Sequence, residues 1–199
     1  MSTISVIGSG GLATKAGHSV EIISRDPAKA QALAGRLSTT AITGAYGAKP
    51  AGEIVILAVP YASAAAVVSE YGDALGGKVI IDISNPLAPG LTSLVTTAGS
   101  SGAQEIAKGV PAGAHVVKSF NTIFGHVLAR GERLDAFIAD DDAEVKARVS
   151  TFIASLGLRP LDVGGLSMAH SLEALGMLLI GLARNGAGTF DIAINVNIG

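Results

Sequence analysis

Short runs of aliphatic and β-branched residues with almost no polar alternation are what this chain has least freedom to place. Side chains of a strand alternate between two faces, so a strand that is apolar throughout must be covered on both. Ile4–Ile7, Glu53–Val59 (EIVILAV) and Lys78–Ile83 (KVIIDI) are such runs, and Val20–Ile23, His115–Phe120, Leu134–Ala139 and Arg159–Val163 read as further strands. Helical segments lie between them. Asp26-Pro27 has the form of an N-cap followed by proline at the first helical position, opening a helix through Lys29, Leu33 and Leu37. Alanine-rich Ala62–Tyr71, short Gln104–Lys108 and Asp142–Leu156, closed by Gly157, read as helices. Strands alternating with helices predict βαβ units around a parallel sheet.

The turn after the first strand narrows the expectation. Gly8-Ser9-Gly10-Gly11-Leu12-Ala13 fits G-x-G-x-x-G/A between a strand and a helical fragment, Leu12–Ala16. Glycines let the backbone turn tightly and approach a pyrophosphate, whose charge then rests on the free N–H groups of a helix start. The expected fold is therefore a Rossmann-type, doubly wound parallel α/β sheet, with Gly8, Ser9, Gly10, Gly11 and Leu12 as candidate dinucleotide contacts. The 15 positions from Gly10 to Arg25 fall short of the usual spacing to the ribose reader, which is about 20. Two readings account for this: a truncated first helix with Leu12 inside the fingerprint, or residues missing between Gly11 and Leu12.

The second strand selects the cofactor. It ends Ile22-Ile23-Ser24-Arg25 rather than in Asp or Glu. A hydroxyl and a guanidinium suit a 2′-phosphate, Lys29 one helical turn on adds charge, and Asp26 is read as the N-cap rather than as a ribose 2′-OH acceptor. NADP(H) is the expected cofactor.

Composition removes other classes. A formal net charge of -2 leaves no electrostatic footprint for nucleic acid. The absence of cysteine removes disulfides, thiolate zinc sites and a cysteine nucleophile. The apolar stretches Ile54–Val68 and Leu172–Ala183 are interrupted by Pro60, Ser63 and Glu173, and fall short of the roughly 20 residues of a membrane span. The N-terminus lacks the basic region of a secretory signal. A soluble, cytoplasmic protein with a small-molecule partner is expected. Charged residues are only 15% of the 199, against roughly 25% in typical domains. Buried strands explain part of that. The rest points to the apolar helix read over Leu166–Ala183 as the seam of a homodimer. Residues 1–165 are thus read as the dinucleotide-binding domain, and 166–199 as a C-terminal helical element.

In order along the chain, ISVIGSG (4–10), AGHSVEIISRDPAKA (16–30), VILAVPY (55–61), VIIDISNPL (79–87), VKSFNT (117–122) and the segment from ADDD to GGL (139–166) cover most of it up to Leu166. Together they resemble the NADP oxidoreductases that act with the deazaflavin coenzyme F420. Similar NADPH domains occur in transmembrane ferric reductases and, more distantly, in pyrroline-5-carboxylate reductases. The resemblance implies NADPH on the strand ends and a planar acceptor over the nicotinamide. It places Ser24 and Arg25 on the 2′-phosphate, and Ala58, Val59 and Pro60 along the ribose and pyrophosphate. Asn85, Pro86 and Asn121 fall near the nicotinamide and the acceptor.

Direct hydride transfer needs orientation and exclusion of water more than a protein acid or base, which fits a candidate site with few titratable groups. His126 is the nearest candidate for proton chemistry, though a satisfied or exposed histidine is the simpler reading. Asp140–Asp142 read as a helix start rather than a metal site. With aromatics at 4% and no tryptophan, a ring stacked on the acceptor would come from Tyr61, Phe120 or Phe124. Two further functions remain open: NADPH-linked reduction of a flavin, quinone, ferric chelate or imine, and a non-enzymatic NADP(H) sensor.

Overall fold

A computed structural model of the chain describes residues 3–8, 17–37 and 41–197. Ser9, Gly10, Gly11 and Leu12, with the whole expected Leu12–Ala16 helix, lie outside the described residues. Among the described residues, eight strands form a mostly parallel α/β sheet. The chain divides into two compact units, Met1–Ser84 with Glu105–Val116, and Asn85–Gln104 with Val117–Gly199.

In the first unit β1 (Thr3–Gly8), β2 (Ser19–Ile23), β3 (Ala41–Gly44), β4 (Ile54–Ala58) and β5 (Val79–Asp82) are joined by parallel pairings in the order 3-2-1-4-5. Ile4, Val6, Ile7, Ile22, Val55, Leu57, Ile80 and Ile81 are all essentially inaccessible to solvent. Full burial of each such side chain contributes about 1.5–3 kcal/mol, and consecutive burial on both faces is what selects parallel strands. The helix α1 (Pro27–Leu37) begins where the sequence predicts, with Asp26 Oδ1 accepting from the Ala28 N–H at 3.0 Å and the Lys29 N–H at 3.2 Å. The helix α2 (Tyr61–Tyr71) starts directly after Pro60 and packs Ala64, Val67, Val68 and Tyr71 inward. The starts of the strands are held by a polar knot. Ser5 donates to Glu21 at 2.5 Å, Gly52 N–H to Ser5 Oγ at 2.8 Å, and Lys78 Nζ to the Pro50 and Gly52 carbonyls at 2.8 Å each.

Between the β5 end and β6 lies the short helix α3 (Gly102–Ala107), and β6 spans His115–Lys118. In the second unit β6 pairs antiparallel with β7 (Asp135–Ala139), which pairs parallel with β8 (Arg159–Gly164). The single-turn helix α4 (Gly125–Leu128) precedes β7. The helix α5 (Ala143–Ser155) is capped by Asp142, whose side chain accepts from the Glu144 and Val145 N–H groups. The neighbouring carboxylates are also structural: Asp140 Oδ1 accepts from the Asp142 N–H at 2.9 Å and Asp141 Oδ1 from the Leu166 N–H at 2.9 Å.

The sixth strand and the C-terminal helix differ from expectation. The sixth strand stops at Lys118 rather than Phe120, because Ser119 Oγ turns to donate to the Phe137 carbonyl at 2.8 Å and Phe120 takes a left-handed φ of 60°. The C-terminal helix is not one uniform rod. A 3-10 turn at Leu166–Met168 leads into α6 (Ala169–Leu182), and a π turn follows at Ala183–Ala187. The whole run of 22 residues is long and apolar enough, by length and composition, to cross a membrane. One side of it is nevertheless built into the second unit through Leu172, Glu173, Gly176, Leu179 and Ile180. Leu178 and Leu182, one turn apart, stand exposed.

Candidate functional site

Parallel α/β sheets place ligands beyond the carboxyl ends of their strands. In the first unit three of those ends meet. The register pairs Gly8 with Ala58 and Ile7 with Ile23, so Gly8, the Ser24-Arg25 pair and the Ala58-Val59-Pro60 turn leave neighbouring strands at the same edge. Gly8 has a φ of 122°, and a Cβ there would lie 2.0 Å from the Ala58 carbonyl oxygen. No other residue fits both the conformation and the space. Pro60 supplies no side-chain cap to α2.

Ser24 Oγ accepts the Asp26 N–H at 3.2 Å, which leaves its own hydrogen to donate. Asp26, the rival ribose reader, spends its carboxylate on the α1 N-terminus. Lys29 lies 3.7 Å from Asp26 and is largely exposed. Arg25 is exposed and sits above the Tyr46 ring, 5.2 Å from its centroid. Its Nε donates to Tyr46 Oη at 3.0 Å and an Nη to Glu70 at 3.3 Å, while Tyr46 Oη donates to Glu70 at 2.9 Å. Burial, then the hydrogen bond to Glu70, raises the Tyr46 hydroxyl above its ordinary value, so the phenol stays a donor. Tyr46 and Glu70 were not singled out from the sequence. They lie 21 and 45 positions from Arg25, and neither stands in a motif.

In the second unit the structure brings Asn85 and Asn121 together. Asn85 Nδ2 donates to the Asn121 carbonyl at 2.9 Å, and Asn121 Nδ2 donates to Asn85 Oδ1 at 2.9 Å and to the Leu172 carbonyl at 2.7 Å. Each amide carries two donors and an acceptor. One Asn85 N–H and the Asn121 Oδ1 are therefore uncommitted among these bonds, a donor and an acceptor on two paired amides. That pairing complements a carboxamide or the edge of a flavin-like ring. Pro86 follows Asn85 in a tight turn closed by the Leu87 N–H on the Asn85 carbonyl at 2.9 Å.

The amides rest on α6. A Cβ at Gly176 would lie 2.7 Å from Asn85 Oδ1, so the glycine makes the room the amide occupies. One turn earlier Glu173 meets Lys118 at 2.9 Å, both fully buried, and also accepts from the Gly102 N–H at 3.0 Å and the Ala103 N–H at 3.3 Å. This buried pair escaped the sequence reading. The available signal was a lone charge inside an apolar strand and another inside an apolar helix, since buried charges are normally paired.

The ring candidates are corrected in part. Phe120 is buried and packs edge-on against Phe152, with centroids 6.5 Å apart, so it belongs to the core. Phe124 stacks on His126 at 6.0 Å and meets Phe190 edge-on at 5.4 Å. Tyr61 is half-buried and donates its hydroxyl hydrogen to Glu105. His126 Nε2 lies 2.9 Å from Asp191, which also accepts from Arg130 at 2.6 Å, and 3.1 Å from the Phe190 carbonyl. It is exposed and engaged with the C-terminal segment.

Residues 3–86 match the family described as NADP oxidoreductase, coenzyme F420-dependent. The rat metalloreductase STEAP3 is 30% identical over 187 residues, 89% of this chain, but the chain spans only 37% of that protein's length. The F420-dependent NADP reductase of Methanothermobacter marburgensis is 30% identical over 184 residues, covering 84% of this chain and 82% of the reductase. A crystal structure from Arthrobacter sp. FB24, named as a candidate F420-dependent NADP reductase, superposes over 100% of both chains with a TM-score of 0.85 at 27% identity. With the glycine-ended first strand, the Ser-Arg end of the second and the coverage of the archaeal reductase, the chain belongs to the coenzyme F420-dependent NADP oxidoreductase family, a family of NADP-dependent oxidoreductases.

Proposed function

We propose that the protein exchanges hydride between NADP(H) and a deazaflavin of the coenzyme F420 type. The observation that carries the cofactor choice is the end of β2: Ser24 and Arg25 offer a donor and a cation, while the carboxylate that follows them, Asp26, is spent on the α1 N-terminus. A ribose 2′-OH would need that carboxylate. A 2′-phosphate needs the guanidinium.

The residues present fit the dinucleotide. Ser24 and Arg25 hold the 2′-phosphate, with Lys29 adding charge. The Gly8 backbone and the turn Ala58-Val59-Pro60 line the ribose and pyrophosphate. In the second unit, the uncommitted donor of Asn85 and acceptor of Asn121 offer hydrogen bonds to the edge of the acceptor. Bound NADPH supplies the hydride, and the acceptor takes it together with one proton from solvent. No side-chain acid or base is required for the transfer itself, so these residues act by binding, orientation and exclusion of water.

A second reading keeps NADPH and changes the acceptor to a ferric chelate or flavin. Similarity to a metalloreductase over 89% of the chain favours it. Titration of the purified protein with NADPH and NADH, followed by turnover with F420, FMN and ferric chelate in parallel, separates the two. Reduction of F420 far in excess of the others supports the first reading. Efficient ferric reduction with F420 inert replaces it by the second. Failure to bind either dinucleotide removes both.

A further inference from the structure

We propose that Glu70 is a specificity-determining residue that competes with the cofactor's 2′-phosphate for Arg25. The inference rests on the assignment of Arg25 to that phosphate and adds a residue which opposes it. The guanidinium at the end of β2 is not waiting free. Its Nε bonds Tyr46 Oη at 3.0 Å and one Nη bonds Glu70 at 3.3 Å, and Tyr46 links back to Glu70 at 2.9 Å. Three side chains from the turn after β2, the segment after β3 and the last turn of α2 thus form a closed triangle. Tyr46 is held in turn by Tyr71, with centroids 5.4 Å apart at 79°. Tyr71 is buried, so the triangle is anchored to the body of the first unit.

The arrangement gives Glu70 a defined electrostatic effect. A 2′-phosphate must either displace the carboxylate from Arg25 or bind the remaining guanidinium donors with that negative charge close by. Both routes weaken binding of a phosphate-bearing cofactor. Neither touches one that ends in a ribose hydroxyl. The chain thereby holds its preference for NADP(H) below what Ser24, Arg25 and Lys29 alone would give. With Arg25 61% and Glu70 49% exposed, the effect is that of a solvated ion pair, about two- to five-fold in affinity.

The test is calorimetric titration of the full chain with NADP+ and NAD+. The variants are Glu70→Gln, Arg25→Ala and the double substitution, at low and high salt, with melting temperatures to confirm folding. Glu70→Gln keeps an oxygen for Tyr46 and Arg25 while removing the charge. The proposal expects it to tighten NADP+ about two- to five-fold and leave NAD+ unchanged. The gain should shrink with salt and vanish in the Arg25→Ala background. If Arg25→Ala abolishes the NADP+ preference but Glu70→Gln gives no gain, or an equal gain for both cofactors, the competition is refuted and the cofactor assignment stands. If Arg25→Ala weakens NADP+ and NAD+ equally, the assignment of Arg25 itself fails and the competition falls with it.

Discussion

Replacing Gly176 by alanine separates the candidate amide site from the stability of the fold. In a helix interior this exchange ordinarily stabilises by about 0.8–1 kcal/mol. Here the new Cβ would lie 2.7 Å from Asn85 Oδ1, 2.8 Å from Nδ2 and 3.0 Å from Cγ. The Asn85 side chain has to move, and its two 2.9 Å hydrogen bonds with Asn121 go with it. At about 1 kcal/mol net for each bond, the loss outweighs the helical gain by about 1 kcal/mol. For a chain of this size that lowers Tm by roughly 2–4 °C. The functional loss should be larger, because a displacement near 1 Å at a positioning group can lower a rate by about 10²-fold. Arg25 and Ser24 are untouched, so NADPH affinity should hold while kcat falls. The assay is steady-state NADPH oxidation with the acceptor that wild type uses, beside urea unfolding of both proteins. A variant that gains about 1 kcal/mol of stability and keeps wild-type kcat would refute the account, because neither the clash nor the role of Asn85 would then exist.

Other perturbations probe different parts of the same picture. Arg25→Ala should lower affinity for NADP(H) at least ten-fold more than for NAD(H), measured by titration, in line with the strength of a charge-assisted bond to phosphate of about 1.5–3 kcal/mol. Gly8→Ala should prevent or severely weaken folding, read from soluble yield and Tm, because its Cβ would stand 2.0 Å from the Ala58 oxygen. Lys118→Met should destabilise by about 3–5 kcal/mol by stranding buried Glu173, and the double substitution Lys118→Met with Glu173→Met should recover much of that in chemical unfolding. The Arg159 guanidinium, bonded to Asp135 at 2.6 Å through both oxygens, holds that carboxyl below its ordinary value. Its contribution is therefore complete above the unfolded value of about 3.9 and is lost as pH falls through the lower folded value. Asp135→Asn should flatten the acid limb of a stability-versus-pH curve and leave the neutral region simply lower.

The parallel strands were legible because their side chains are apolar on both faces, a pattern that packing on both sides enforces. The start of α1 was legible for a local reason, since Asp26-Pro27 satisfies a helix end with no help from elsewhere. The strand Ala41–Gly44 was not read, because Ile42 and Thr43 are exposed and four residues at a sheet edge carry no apolar run. Asn85 and Asn121 were singled out separately, but their amide pairing spans 36 positions and depends on the space left by Gly176. Glu70 and Tyr46 act on Arg25 only through the fold. Periodicity reports which face of an element is buried, whereas the partners of a polar group are set by tertiary contacts that no local pattern encodes.

The central claim is direct hydride transfer from NADPH to a deazaflavin, and isotope transfer tests it most directly. NADPH carrying deuterium at the transferable position of its nicotinamide ring is turned over with oxidised F420 in ordinary water, and the reduced deazaflavin is weighed by mass spectrometry. The account predicts a single carbon-bound deuterium in the product, formed at a rate that NADH does not approach. Reduced deazaflavin without the label, or no reduction of F420 by a protein that binds NADPH, would contradict it.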